Sequence, residues 1–367
     1  MKFSCEKNPI LKEIATAQDI ISSRNVLSIL SNVLLDVKES NLIIKATDLK
    51  VGFETKIPVL VTEAGSTTVY CDKFLNILRV LPDGEIDFEQ TDNRLIIKPK
   101  NRRIDFQLKT IESDKFPEIK ETMSGNYFQM PQKDLMDMIS QTIFAVSDDE
   151  TRYFMNGVFF EKHGQKVIMV ATDGRRMSFV SKELDAQMED FKGVIIPPKI
   201  LNLIRKLSFG EGSISMAVTD KSIFFQFNNQ KLSSNLIEGQ FPNYKRVIPE
   251  KQEYQITVNR ELLLEALKRV SLLVEQKSRR VYVSAGNDTL TLKAEESEIG
   301  QAQEEIACSY QGPDTNIAMN YLYLLEPVRV MEEGEICIKF SEPNKAITIL
   351  SEPEKEYFHI VMPMQLD

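Results

Sequence analysis

The chain is poor in the residues that usually carry chemistry. Its 367 residues include only two histidines, His163 and His359, and neither stands at a metal-ligand spacing. The four cysteines, Cys5, Cys71, Cys308 and Cys337, lie far apart with no C-x-x-C pair, which argues against a zinc knuckle or thiol redox motif and fits reduced thiols in a cytosol. No G-x-x-x-x-G-K-[S/T] loop exists to cradle nucleotide phosphates, and no G-x-S-x-G elbow to expose a nucleophilic serine. No apolar run approaches the roughly 20 residues of a membrane-spanning helix, and the opening stretch already carries Lys2, Glu6 and Lys7, so neither a span nor a signal peptide is expected. Positive charge is also in deficit: 45 Lys and Arg against 54 Asp and Glu leave a net charge of -9. There is no zinc-finger, helix-turn-helix or aromatic-interleaved basic tract. These absences point away from an enzyme, a metalloprotein and a sequence-reading DNA binder, and no cofactor or metal is expected.

What the chain does have is repetition. Ala46-Thr47-Asp48 returns as Ala171-Thr172-Asp173 and Phe116-Pro117 as Phe241-Pro242, each shifted by 125 residues. Solenoid repeats run about 20 to 50 residues, so a period this long means duplicated domains rather than stacked supersecondary units. With 42% hydrophobic and 27% charged residues the composition is globular, and the length accommodates three modules, 1–123, 127–250 and 253–367.

Each module reads the same way: a helix, a hairpin, then a second half with another helix. Asn8 as cap with Pro9, Pro131, and Asn259 mark three first helices, and hairpins follow at Glu39-Ser40-Asn41, His163-Gly164-Gln165 and Gly286-Asn287. Asp48 and Asp173, at the ends of equivalent strands, are expected to accept hydrogen bonds from nearby backbone donors. In the second helices, Phe74, Ile77, Leu78 and Leu81 share one face and Lys73, Asn76 and Arg79 the other; Ile200, Leu203, Ile204 and Leu207 oppose Lys199, Asn202 and Arg205 in register. The third copy carries Asn320, Tyr323 and Glu326 there and has lost the basic face. A single such face is an ordinary solvated surface. Two matching ones in an acidic protein make Lys73, Arg79, Lys199 and Arg205, with Lys12 and Lys206, candidates for phosphate contacts that position without reading sequence.

The blocks Met1-Lys2-Phe3, Ala46-Thr47-Asp48-Leu49, Arg152-Tyr153-Phe154-Met155-Asn156-Gly157, Ala171-Thr172-Asp173-Gly174-Arg175-Arg176, Glu238-Gly239-Gln240-Phe241-Pro242-Asn243-Tyr244-Lys245-Arg246-Val247 and Val361-Met362-Pro363-Met364, in this order over the full length, resemble the bacterial DNA polymerase III β-subunit family of replication sliding clamps. The resemblance implies an α+β fold of three similar modules, each with two helices packed on β-sheet, and a head-to-tail homodimer closing into a six-module ring around double-stranded DNA. It implies processivity without catalysis and a cytoplasmic, nucleoid-associated location. The implied partners are the polymerase III α subunit, the clamp loader, and other polymerases and repair proteins that bind through short linear motifs. It adds Arg24, Tyr153 and Phe154 to the DNA-contacting set. It also implies a hydrophobic peptide pocket from Met155, Thr172, Gly174, Arg175, Arg176, Met177, Pro242, Arg246, Val247, Asn320, Tyr323, Val361, Met362, Pro363 and Met364. On spacing alone the methionines read as core. Arg175 stands where histidine is common in the family, Met177 where leucine is, and Gln365 where arginine is, with Asp367 beyond the usual end.

Net charge by thirds is -1, 0 and -8. Lys98, Lys100, Arg102 and Arg103 are expected along a strand of the first module, and Glu295, Glu296, Glu298, Glu304 and Glu305 crowd the matching region of the third. Two unlike surfaces of this kind join heterologously, and such contacts can close a ring. By resemblance Leu108, Leu272 and Leu273 supply the apolar centre of that interface, with Arg103, Glu304 and Glu305 around it. Without the resemblance, the acidic run reads as a solubilising edge, and a sequence-specific DNA binder or a nuclease or ATPase remains the alternative.

Overall fold

The computed structural model describes residues 1–21, 29–120, 127–184, 191–296, 298–332 and 334–365. Its motif is smaller than the repeat seen in the sequence. A strand runs directly into a helix and is followed by a three-stranded antiparallel meander, and this unit occurs six times. The first is Lys2–Glu6, helix α1 (Lys7–Ile20), then Asn32–Lys38, Asn41–Thr47 and Val51–Pro58. The second is Gly65–Tyr70, α2 (Cys71–Val80), Glu85–Thr91, Arg94–Pro99 and Phe106–Ile111. The central module supplies Phe128–Pro131 with α3 (Gln132–Thr142) and a meander ending in Arg176–Glu183, then Val194–Ile196 with α4 (Pro198–Leu207) and a meander ending in Gln230–Asn235. The last supplies Tyr254–Asn259 with α5 (Arg260–Val270) and a meander ending in Gly300–Tyr310, then Thr315–Asn320 with α6 (Tyr321–Val330) and a meander ending in Tyr357–Val361.

Local chemistry explains these elements. Hairpin tips need a left-handed residue, and Glu39 (φ 54°), Asn228 (φ 51°) and Asn287 (φ 50°) take that conformation. Asn259 caps α5 as its sequence suggests, accepting from the N–H groups of Glu261 and Leu262 at 3.0 and 3.1 Å. Two other expected helix starts are displaced. Helix α1 opens at Lys7 rather than after Asn8, without a side-chain cap, because its first N–H donates to the Gly84 carbonyl at 3.1 Å. Pro131 ends a strand instead of starting α3. In both cases the incoming strand hands its backbone straight to the helix, so no separate capping residue is required.

The repeated Thr-Asp forms the same turn twice. Asp48 Oδ1 accepts from the N–H groups of Lys50 and Val51 at 2.9 and 2.7 Å, while Thr47 Oγ1 donates to the Val51 carbonyl at 2.8 Å. Asp173 Oδ1 accepts from Arg175 and Arg176 at 2.8 and 3.0 Å, and Thr172 Oγ1 donates to the Arg176 carbonyl at 2.6 Å. The third position is left-handed in both, Leu49 at φ 72° and Gly174 at φ 87°. Only the carboxylate-held turn makes that conformation tolerable for leucine.

The chain divides into two compact units, Met1–Gln132 with Asn202–Leu236, and Lys133–Leu201 with Ile237–Asp367. In the first, Val51–Pro58 pairs antiparallel with Gln230–Asn235, Gly52 facing Ser233. A Cβ at Gly52 would lie 2.6 Å from Ser233 Oγ and 2.5 Å from Ile119 Cγ2, so the join requires glycine there. In the second unit, Arg176–Glu183 pairs antiparallel with Tyr357–Val361. The rule is identical: the last strand of one module's first half pairs with the last strand of the next module's second half. Each helix packs its apolar stripe on these sheets. Ile10, Ile14, Ala17 and Ile20 of α1 are buried against Asn41–Thr47 and Val51–Pro58, and Phe3, Phe74 and Phe88 interlock at centroid distances of 4.7 and 6.1 Å.

Replacing Asp48 by Ala removes the acceptor of two backbone donors. Urea unfolding is expected to show a loss of about 1–2 kcal/mol with helix content unchanged in the folded baseline.

Candidate functional site

The two basic helix faces point away from the core. On α2, Phe74, Leu75 and Leu78 are buried while Lys73, Asn76 and Arg79 are exposed. Their contacts are local and weak, Arg79 Nη1 to Asn76 Oδ1 at 3.4 Å and Lys73 Nζ to Asp72 Oδ2 at 3.8 Å. On α4, Ile200, Leu203, Ile204 and Leu207 are buried, Arg205 and Asn202 are exposed, and Lys199 is half-buried. Lys206 is ion-paired with Asp19, and the Lys12 ammonium lies 4.8 Å from the centre of the Phe209 ring. Tyr153 and Phe154 sit in the 3-10 segment Glu150–Met155, which is kinked at Arg152, Tyr153 exposed and edge-on to Phe154 at 5.8 Å. Arg24 and Asp367 lie outside the described residues.

The missing basic face of the third copy has a structural use. Asn320 caps α6, accepting from the Leu322 N–H at 3.0 Å, while Tyr323 and Glu326 meet Arg176. The Arg176 guanidinium is almost enclosed. Its Nε donates to Asp173 Oδ2 at 3.1 Å, its Nη1 to Glu326 Oε2 and its Nη2 to the Phe144 carbonyl at 2.5 Å. The rings of Tyr323 and Phe144 lie 4.5 and 5.5 Å from it. Burial, reinforced by Asp173, raises the Tyr323 hydroxyl above its usual pKa. Beside this cluster His359 is fully buried, its Nδ1 2.8 Å from Ser178 Oγ, and desolvation together with the Arg176 charge pushes its pKa down to about 3.

Next to Arg176 opens a cleft of about 740 Å³. From the set proposed above it is lined by Arg175, Asn320, Tyr323, Met362, Pro363 and Met364. The chain end is held there by backbone bonds, Met362 N–H to the Arg175 carbonyl at 2.9 Å and Met364 N–H to the Ala318 carbonyl at 2.8 Å. Thr172, Gly174 and Arg176 make the turn that presents Arg175. The methionines divide: Met155 and Met177 are buried, Met177 in a core with Phe241, Tyr244 and Ile360, whereas Met362 is 45% exposed. Val361 is buried in its strand, and Pro242, Arg246 and Val247, around the turn Tyr244–Val247, do not line this cleft. Gln365 and residues 276–280 complete the lining; the latter segment is absent from the expected set although Lys277, Arg279 and Arg280 form a basic cluster within the acidic third. Phe144 and His359 were equally invisible, since nothing in their spacing marks them as neighbours of Arg176.

Two strand edges stand open. Phe106–Ile111 pairs with Arg94–Pro99 on one side, but on the other only Thr110 and Ile111 find a partner strand. Gly300–Tyr310 pairs with Thr289–Glu296, and on its other side only Cys308, Ser309 and Tyr310 are paired. Residues 106–109 and 300–307 therefore each present one edge without a strand partner among the described residues. Leu108 lies half-buried on the first edge; beside the second are half-buried Leu273 and Leu272, which is 79% exposed. Arg102 and Arg103 occupy a loop rather than the expected strand, because Arg94–Pro99 ends before them. Lys98 and Lys100 are engaged by Asp105 at 3.2 Å and Glu85 at 2.6 Å, whereas Arg102 and Arg103 are exposed with no ion pair among the described residues. Glu304 holds Arg269 at 2.5 Å and Glu305 is exposed. Among the described residues no cluster of His, Cys, Asp or Glu is suited to a metal ion, and no helix is long and apolar enough to cross a membrane.

Residues 1–120, 129–243 and 245–365 match the family models for the N-terminal, central and C-terminal domains of the DNA polymerase III beta subunit. The beta sliding clamp of Treponema pallidum (strain Nichols) is 47% identical over 371 residues, with all of both chains covered; that of Escherichia coli (strain K12) is 28% identical over 369 residues at the same coverage. Among solved structures, the sliding clamp from Pseudomonas aeruginosa bound to griselimycin superposes with a TM-score of 0.94 at 30% identity, and the DNA polymerase III subunit beta from Borrelia burgdorferi in complex with a natural product with 0.92 at 28%, each over the whole of both chains.

His359 yields a pH signature. Its folded pKa lies below the ordinary histidine value, so its contribution to stability is full above about pH 6.5 and falls as pH drops toward 3, by about 1.4 kcal/mol per unit. Urea titrations at pH 6.5 and pH 5 are expected to differ by about 2 kcal/mol, and His359→Gln to start lower and flatten that limb.

Proposed function

The chain belongs to the DNA polymerase III beta-subunit family, and from that premise we infer that it is a sliding clamp, a non-catalytic subunit that encircles duplex DNA and tethers the replicative polymerase and other DNA-processing proteins to it. The observation that carries the ring is the strand-joining rule. Within one chain the rule is satisfied twice, between 51–58 and 230–235 and between 176–183 and 357–361. Applied a third time, it pairs the open edge at 300–307 of one copy with the open edge at 106–109 of a second copy arranged head to tail. A heterologous contact repeated twice closes two chains of three modules, 1–123, 127–250 and 253–367, into a ring of six. Arg103 would face Glu305 and the Glu304 region across it, with Leu108, Leu272 and Leu273 at the centre, and closure removes two sheet edges that would otherwise invite aggregation.

A clamp that slides cannot hold base edges. It is attached by topology and needs only mobile contacts to phosphates. Lys73 and Arg79 on α2 and Lys199 and Arg205 on α4, with Arg24, Tyr153 and Phe154, are the proposed DNA-facing residues. A net charge of -9, concentrated in the last third, keeps DNA from adhering elsewhere. The cleft beside Arg176 is the proposed dock for short linear segments of the polymerase III α subunit, the clamp loader, and other polymerases and repair proteins. Its apolar floor of Met362, Pro363 and Met364 and its polar wall of Asn320 and Tyr323 are fit to seat an apolar anchor and orient it. The working location is the cytoplasm, at the nucleoid.

Loaded by a clamp loader on nicked circular plasmid and then gel-filtered, the protein is expected to stay with the DNA and to leave once the plasmid is linearised; retention on linear DNA would count against encirclement. Arg102→Glu together with Arg103→Glu is expected to weaken the dimer at least tenfold in sedimentation equilibrium, the more so at low salt, whereas a salt-insensitive dimer unchanged by the double variant would remove these arginines from the interface.

A further inference from the structure

The cleft beside Arg176 carries more charge than an apolar docking site requires. Arg175, Lys277, Arg279 and Arg280 all line it, next to Met362 and Met364, and no aspartate or glutamate is among the lining residues. This stands out against its surroundings, since the last third of the chain carries a net charge of -8. Several cations elsewhere in the same unit are matched: Arg176 by Asp173 and Glu326, Arg269 by Glu304, Lys339 by Glu354. Arg175, Lys277 and Arg279 have no ion pair among the described residues. We propose that the partner segments taken by this cleft carry aspartate or glutamate side chains flanking their apolar anchor, and that Arg175, Lys277 and Arg279 select them.

The basic wall is held rather than trailing. Arg279 is left-handed, at φ 52°, its N–H donating to the Glu275 carbonyl at 2.8 Å and its carbonyl accepting from the Tyr321 N–H at 2.9 Å. That pins residues 275–279 to the start of α6, whose first turn carries Tyr323. Arg175 is fixed from the other side, by the Asp173 turn and by its carbonyl bond to Met362 N–H. The cations are thus positioned on both sides of a methionine surface. Glu275 is exposed and outside the lining, and Asp173 and Glu326 are engaged by Arg176, so among the described residues no carboxylate lines the cleft to neutralise the wall. A phosphate backbone would use the cations but leave the exposed Met362 without a partner; a peptide with an apolar anchor and flanking carboxylates uses both. Opposed charges of this kind mainly set specificity and encounter rate.

The inference rests on the peptide-dock reading above, and the experiment separates the two. Two fluorescein-labelled synthetic 12-residue peptides share one Leu and Phe anchor and differ only in three flanking residues, Asp in one and Asn in the other; binding to the full-length protein is followed by fluorescence anisotropy. The Asp peptide is expected to bind about tenfold more tightly at low salt and within about threefold of the Asn peptide at 0.5 M NaCl. In Arg175→Glu with Lys277→Glu, checked for folding by thermal unfolding, the preference should vanish or invert, while Met362→Ala should weaken both peptides and keep it. Equal affinity of the two peptides for the wild-type protein overturns the charge preference alone, as does its persistence in the charge-reversed variant. Failure of both peptides to bind overturns the dock with it. A short duplex oligonucleotide that displaces the Asp peptide from the wild-type protein, and loses affinity in the charge-reversed variant, would assign the basic wall to DNA instead.

Discussion

The backbone of an outermost strand cannot leave a row of N–H and C=O groups unanswered at an exposed edge without inviting another chain onto it. Most of this molecule's organisation follows from that constraint. Six copies of a strand, helix and three-stranded meander each end in a strand needing a neighbour. Two pairs are satisfied inside the chain by the same antiparallel join, one of them built on Gly52, where any side chain would strike Ser233 and Ile119. The third pair has its two halves at opposite ends of the repeat order. With the proposed pairing of those halves between two copies, encirclement of DNA follows from a sheet-edge rule rather than from affinity for nucleic acid, and an acidic chain can still serve a polyanion.

Charge is sorted to match. The basic residues proposed to meet phosphates sit on the solvent faces of α2 and α4, whose opposite faces are packed into sheet, so electrostatics and core formation do not compete on the same helix. In α6 the equivalent face is diverted to another task. Tyr323 and Glu326 enclose Arg176, and this one guanidinium ties a turn, a helix and the Phe144 carbonyl together beside the cleft. Removing it would leave Asp173 and Glu326 partly buried without their counter-charge, the costly way to break such a cluster. His359 remains neutral against it, with its ring packed between Phe144 and Tyr357.

Much of the fold was legible before any coordinates. The 125-residue offset revealed duplicated modules because duplicated cores keep their turn chemistry: Thr47-Asp48 and Thr172-Asp173 make identical hydrogen bonds. Helical periodicity separated Phe74 and Leu78 from Lys73 and Arg79, as burial later did. The finer repeat of six went unseen, since two half-modules share a path of the backbone but few residues, and helix starts at Lys7 and Gln132 escaped because strands feed them without a capping side chain. Around the cleft, Arg175 and Met362 were reached through resemblance and Tyr323 and Glu326 also through helical register, whereas Phe144 and His359 had no signal of spacing and residues 276–280 only a local cluster of charge.

Local chemistry written into the order of residues determined the turns, the amphipathic helices, the module period and the excess of negative charge in the last third. Each of these depends on neighbours a few positions away, or on a simple sum. Which methionines are core and which line a cleft, which arginines are neutralised and which stay available, and which strand edges remain open were decided only by tertiary structure. Those properties depend on what lies opposite a residue in space, and residues such as Arg176 and Glu326, 150 positions apart, meet only when the sheets and helices between them have packed.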